Sequence, residues 1–205
     1  MALDWFDVGK VALTSGVLAS GINLIWQHFS RRESYRRDAR YLAQRLAVIL
    51  EKFAIDCADI IAGNELHRTS DGHAGVRRLA LPTLAAFPAD ADWKAVDSAL
   101  AGRAVALPNE IALADHKILF WWDVVGDEDC METEADQQAG MCGYRAWNLA
   151  ADLRMRHGVP ASDLTDRAWD FVATLQKQHE AAMKSLEARA QPRAPDSSTD
   201  FDEIN

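Results

Sequence analysis

The stretch from Val11 to Phe29 limits what this chain can fold into more than any other. It reads VALTSGVLASGINLIWQHF, nineteen consecutive positions without Asp, Glu, Lys or Arg. As a helix it makes a rod of about 28 Å, close to the hydrocarbon thickness of a bilayer. Trp5 and Phe6 precede it, and Trp26 and Phe29 lie near its far end, where amphipathic rings favour the headgroup layer. Arg31, Arg32, Arg36, Arg37, Arg40 and Arg45 follow, against Lys10 alone on the other side. That excess predicts a cytoplasmic C-terminal part, with about ten residues outside. A cleaved secretory signal has the reverse order, with basic residues first and a small-residue cleavage site behind the apolar run.

Polar residues within the stretch leave two other readings in play: a helix lying in the interface, and an ordinary buried helix of a soluble domain. Thr14, Ser15 and Ser20 can return a hydrogen bond to the preceding turn, and Gln27 and His28 fit an interface. Asn23 needs a partner in hydrocarbon. Ala12, Gly16 and Ser20 recur every four residues beside Asn23, a narrow face on which a second helix can approach closely. The expectation is one span. Gly16, Ser20 and Asn23 would meet a copy or another membrane protein, while Trp26, Arg31, Arg32, Arg36 and Arg37 would meet lipid.

Net charge sharpens the division. The chain carries -9, yet residues 1–40 hold six basic and four acidic groups. From Tyr41 onward there are sixteen basic and twenty-seven acidic groups, a balance of -11. So acidic a body excludes non-specific nucleic-acid binding. The basic patch belongs beside anionic lipid. Cys57, Cys130 and Cys142 form no disulfide framework and no C-x-x-C, which fits a reducing compartment.

Beyond the anchor the apolar period is helical throughout. Tyr35, Ala39, Leu42, Leu46, Ile49, Phe53, Cys57 and Ile60 step by fours and threes, predicting a long helix stopped at Gly63-Asn64. Its apolar arc is wide enough for a bundle, wider than a two-stranded coiled coil requires. A short helix is expected over Val76 to Phe87, and another from a cap at Asp90 or Asp92 through Leu100, ended by Gly102. Pro108 then opens a helix to Val125 with Gly126 as its stop. After the acidic turn Asp127 to Asp136, with Thr133 as a possible cap, a further helix runs to about Arg156. Gly140 and Gly143 inside it point to close helix packing. Gly158-Val159-Pro160 is a connection, and Ser162 and Asp163 cap a last helix whose stripe is Leu164, Ala168, Phe171, Leu175, Gln178, Ala182 and Leu186.

The expected fold is therefore all-α: an N-terminal single transmembrane helix followed by an antiparallel bundle of about four long helices. Residues 1–30 form the tail and anchor, 31–190 the cytosolic bundle, and 191–205 a disordered acidic tail, in which Phe201 is a candidate docking residue.

No standard catalytic, nucleotide or two-metal motif is present. The best constellation is His116, Asp123 and Asp127, near one helical face at steps of seven and four. Asp56 and Asp59 could meet them across the bundle. Imidazole with carboxylates can hold a hard divalent metal or support proton transfer. The same residues also read as a buried hydrogen-bond network or as a solvated acidic face, and the last is favoured. Trp121 and Trp122 are turned about 100° apart on a helix. One ring can fill the bundle while its neighbour contacts a partner, or both can be buried. The favoured function is a membrane-anchored adaptor or assembly subunit of a bacterial-type inner membrane, acting through contacts with lipid and with another protein or itself, without a cofactor. The alternatives are a membrane-associated metal-dependent hydrolase using the Asp/His cluster, and a soluble helical binding subunit.

Overall fold

The computed structural model describes the backbone of residues 5–166 and 169–190, with side-chain surroundings from residue 32 onward apart from 125, 166–168 and 189. These residues form four helices and no strand: α1 (Trp5–Thr69), α2 (Ser98–Val125), α3 (Glu128–His157) and α4 (Phe171–Ala190). Single 3-10 turns lie at Trp93–Ala95 and Leu164–Asp166. Helix α1 passes Ser30 without a break. Among the described residues no helix is long and apolar enough to cross a membrane. The expected span, Val11 to Phe29, lies outside those with described side chains, and so do its contact residues Gly16, Ser20, Asn23, Trp26 and Arg31.

Helix α3 is the centre, and α1, α2 and α4 each pack on it. Cross-helix pairs fix the directions. Asn64 and Glu51 of α1 bond Asp136 and Arg154 of α3. Trp121 and Arg103 of α2 bond Glu134 and Asp152. Gly140 and Trp147 face Gln178 and Phe171 of α4. In every pair a later position on one helix meets an earlier one on α3. The three outer helices therefore run antiparallel to α3 and parallel to one another. Two parallel helices cannot be joined by a tight turn, so residues 70–97 must carry the chain back along the bundle from the end of α1 to the start of α2.

Small residues let three helices reach one axis. Ala135, Ala139, Gly140, Cys142, Gly143, Ala146 and Ala150 of α3 are all buried. A Cβ on Gly143 would lie 2.7 Å from Leu175 Cδ2 and 2.8 Å from Cys57 Cβ, and one on Gly140 would overlap Gln178 Cβ. Both glycines thus serve close packing, as their place on the α3 stripe predicts. Around them Leu46, Leu50, Phe53, Ile118, Leu149, Leu153 and Leu175 fill the core.

Several helix limits differ from the sequence expectation. Gly63 and Asn64 do not stop α1, which continues to Thr69. Gly63 admits the crossover instead: a Cβ there would sit 3.2 Å from Val76 O. Gly75, at φ +78°, lays its backbone against the same turn. Residues 76–87 form no helix. Their amides and side chains are fixed from outside, with Leu81 N–H donating to Asp115 Oδ1 at 3.0 Å and Arg77 ion-paired to Glu128 and Asp129.

Helix α2 opens at Ser98, ten residues before Pro108, because Asp97 accepts from Ala99 N–H (3.1 Å) and Leu100 N–H (3.4 Å). The helix then runs through Gly102 and past Pro108. The proline lacks the amide that would serve the Ala104 carbonyl. Asp127, rather than Thr133, caps α3. Gly126 and Gly158 end α2 and α3 in the left-handed conformation, as glycine stops do. Helix α4 begins at Phe171, with Asp170 accepting from Ala173 N–H at 2.9 Å. Ser162 and Asp163 precede only a 3-10 turn.

Candidate interaction site

Because α3 is enclosed on three sides, some of its polar residues are buried, and each is assigned to a neighbour. Asp136 accepts from Asn64 Nδ2 at 2.7 Å and Arg68 Nη2 at 2.8 Å. Asn64, fully buried, also donates to Arg78 O (3.0 Å) and accepts from Arg78 N–H (2.7 Å), clamping the crossover to α1. Glu132 pairs with Arg68 (2.8 Å) and lies 2.7 Å from Arg77 Nε, a charge contact whose angle is not that of a hydrogen bond. Burial raises the Asp136 carboxyl above its ordinary value, opposed by the Asn64 and Arg68 hydrogen bonds. All members face one another, so this network is structural.

The other polar pair opens onto a surface. Glu134 accepts from Trp121 Nε1 at 3.1 Å and from Gln138 Nε2 at 2.7 Å. These groups stand at the base of a cavity of about 410 Å³ bounded by α2, α3 and α4, walled by His116, Phe120, Met141 and Leu186. Helix α2 is supported by α3, by the Trp93–Ala95 turn and by the crossover, whose Leu81 N–H bonds Asp115. Along α2, Val105, Leu113, Leu119, Phe120 and Val124 are all more than half exposed, with Trp122 near its end 50 % exposed, among the exposed polar residues Asn109, Glu110, His116, Lys117 and Asp123. Leu119, Phe120, Trp122 and Val124 concentrate large exposed apolar side chains at the end of the helix, and such concentrations mark interaction surfaces. Of the tryptophan pair, Trp121 is half-buried and bonded while Trp122 stands out.

The Asp/His constellation does not assemble. His116, Asp123 and Asp59 are exposed; Asp56 is half-buried, held by Lys52 Nζ at 2.6 Å. Asp127 is occupied as the α3 cap, accepting from Asp129 N–H at 2.8 Å and from the Cys130 thiol at 3.4 Å. Those hydrogen bonds, the backbone one foremost, hold its carboxyl below the usual range. Helix α3 stands between α1 and α2, which share little contact, so Asp56 and Asp59 are not brought to His116. Among the described residues no three His, Cys, Asp or Glu side chains are placed to hold a metal ion.

Cys57 and Cys142 are buried core residues. Burial pushes the Cys57 thiol well up and the Cys142 thiol up to about 11, which leaves both protonated and unreactive at neutral pH.

Arg32, Arg36 and Arg37 are exposed on α1, as a basic collar requires, whereas Phe201 lies outside the described residues. Glu134 and Gln138 are missed from sequence alone because polar letters on a helix read as a solvent face, and Asn64 because it reads as a helix stop. Only their enclosure by three neighbours reveals them. The four-residue step from Glu134 to Gln138 is the one signal that could have found that pair. Comparison with protein-family models, with curated proteins and with solved structures finds no match.

Proposed function

We propose that this protein is a membrane-anchored helical adaptor. Residues 11–29 hold it in the inner membrane as a single pass, its N-terminus outside and its bundle in the cytoplasm. The outer face of α2 and the adjoining groove receive a partner protein. The observation that carries this reading is the end of α2, where Leu119, Phe120 and Trp122 are exposed and Phe120 lines the groove with the buried Glu134 and Gln138. Large apolar side chains left exposed at the end of a helix leave surface for a second protein to cover. Trp121 supports the assignment, since its bond to Glu134 holds the groove wall in place before any partner arrives.

Site-specific photo-crosslinking tests it. A benzoylphenylalanine at Phe120 or Trp122 should give a discrete adduct with one second polypeptide in membranes, and the same group at Gln176, exposed on α4, should not. Adducts that are absent at both positions, or equal at Gln176, would reject the α2 face as the contact.

A further inference from the structure

The pole where α1 enters the bundle gathers cations from three separate segments. An open cleft of about 550 Å³ lies between α1, the Trp93–Ala95 turn and the end of α3. Arg32, Arg36, Arg37 and Arg40 line it from α1, Lys94 from the turn and Arg156 from α3, with Glu33 as the one carboxylate of the lining. Of the other acids nearby, Asp97 is committed to the α2 cap and to Arg156 Nε at 3.1 Å, Asp92 accepts from Lys94 N–H at 3.2 Å as the cap of its turn, and Asp38 accepts from Ser34 Oγ at 3.5 Å outside the lining. Among the described residues no ion pair engages Arg32, Arg36, Arg37, Arg40 or Lys94.

His157 adds no further acid. Its Nε2 accepts from Asp97 N–H at 3.4 Å, which requires the neutral ring. The end of α3 would ordinarily repel an anion. Here two of its last carbonyls are covered, Arg154 O accepting from Val159 N–H at 2.9 Å and Met155 O from Gly158 N–H at 3.4 Å. A solvated basic helix face needs neither Lys94 nor Arg156, which arrive from segments distant in sequence. Their convergence on the α1 arginines makes a concave cationic site.

We propose that this cleft binds the phosphate of an anionic phospholipid headgroup. Guanidinium forks present paired donors to phosphate oxygens, and the Lys94 ammonium adds a point charge. A lipid is the source that fits the position, because Arg32 follows Phe29 by three residues, about 4.5 Å along a helix. The proposal rests on the membrane-anchored reading for that source alone. It adds to that reading a site in the folded bundle, where the collar by itself would be only a charged stretch of helix.

The full chain in zwitterionic detergent micelles is titrated calorimetrically with dihexanoyl phosphatidic acid, dihexanoyl phosphatidylcholine and inorganic phosphate. Phosphatidic acid should bind saturably. Its Kd should rise about fivefold in Lys94→Gln, about fivefold in Arg40→Gln, and about 25-fold in the double variant. Both side chains are exposed and unpaired, so these variants keep the fold. Arg103→Gln, which removes a cation outside the cleft, should leave Kd unchanged. Inorganic phosphate bound as tightly as phosphatidic acid would overturn the lipid as the source. Equal binding of phosphatidylcholine, or no response to Lys94→Gln and Arg40→Gln, would overturn the site. Alkaline extraction of membranes reads the anchor independently of this titration.

Discussion

Glu51 of α1 and Arg154 of α3 form a two-pronged ion pair, Nε to Oε1 at 2.6 Å and Nη2 to Oε2 at 2.9 Å, with both side chains almost out of reach of water. The third arm of Arg154, Nη1, donates to Pro160 O at 2.9 Å. One guanidinium thus ties the first helix, the central helix and the turn into α4. The Glu51 hydrogen bonds, followed by burial acting in the opposite sense, leave the guanidinium still harder to deprotonate. Glu51→Ala strands a buried cation and should cost about 3 kcal/mol. Replacing both partners, Glu51→Leu with Arg154→Met, should cost less than either single change. Chemical denaturation of the full chain in detergent measures all three, and a double variant weaker than both singles would contradict the pairing as its cause.

The centre of the bundle depends on absent methyl groups. Gly143→Ala pushes a Cβ into Leu175 and Cys57 and should destabilise by about 1–3 kcal/mol. Gly102 is exposed in α2, and a Cβ added there would meet no atom within 4 Å, so it behaves oppositely. Gly102→Ala should stabilise by about 1 kcal/mol through helix propensity alone. Thermal midpoints of the two variants, moving in opposite directions, check the argument.

On α2 the two tryptophans should separate stability from recognition. Trp121→Phe removes the indole donor from the buried Glu134 carboxylate and should cost about 1–3 kcal/mol. Phe120→Ser with Trp122→Ser changes exposed side chains and should stay within about 0.5 kcal/mol of the parent. The same double variant should abolish a crosslink formed from a photoreactive group at Leu119. Equal loss of stability in both variants would contradict an unpartnered α2 face.

How much of this was legible follows from what each residue does. The apolar period from Ala39 to Ile60, the Gly126 and Gly158 stops, and the close-packing role of Gly140 and Gly143 are local or face-wise properties, and a single sequence displays them. The limits near Asn64 and Pro108 are not local. Asn64 looks like a helix stop until Arg78 and Asp136 appear as its partners, and Pro108 looks like a first turn until Asp97 is seen capping eleven residues earlier. The Asp/His cluster failed for a topological reason. Its five residues share plausible faces, but α3 occupies the space between their helices. That the two tryptophans point apart was legible, but not which ring is exposed, and the Lys94 and Arg156 side of the basic cleft was not legible either, since nothing in the letters says that the crossover returns to that pole.

Acid should weaken the fold through two histidines. Burial foremost, aided by Arg156 at His157 and by Arg145 at His179, lowers both imidazoles below their ordinary value, with Asp97 and Glu180 opposing. The folded state therefore prefers the neutral rings. Their contribution is fully present above about pH 6.5 and is lost as pH falls through the lowered values, because the unfolded chain then binds more protons. Asp136, raised by burial, acts in the opposite sense in the carboxylate range. The thermal midpoint should hold above about pH 6.5 and drop as pH falls below it. His157→Gln with His179→Gln should flatten that slope, and an unchanged slope would assign it elsewhere.

Alkaline carbonate extraction of membranes from cells making the full chain, beside a chain that starts at Ser30, tests the anchored-adaptor account most directly. The account predicts that the full chain stays with the lipid pellet and the shortened one is released. Release of the full chain into the supernatant would contradict it.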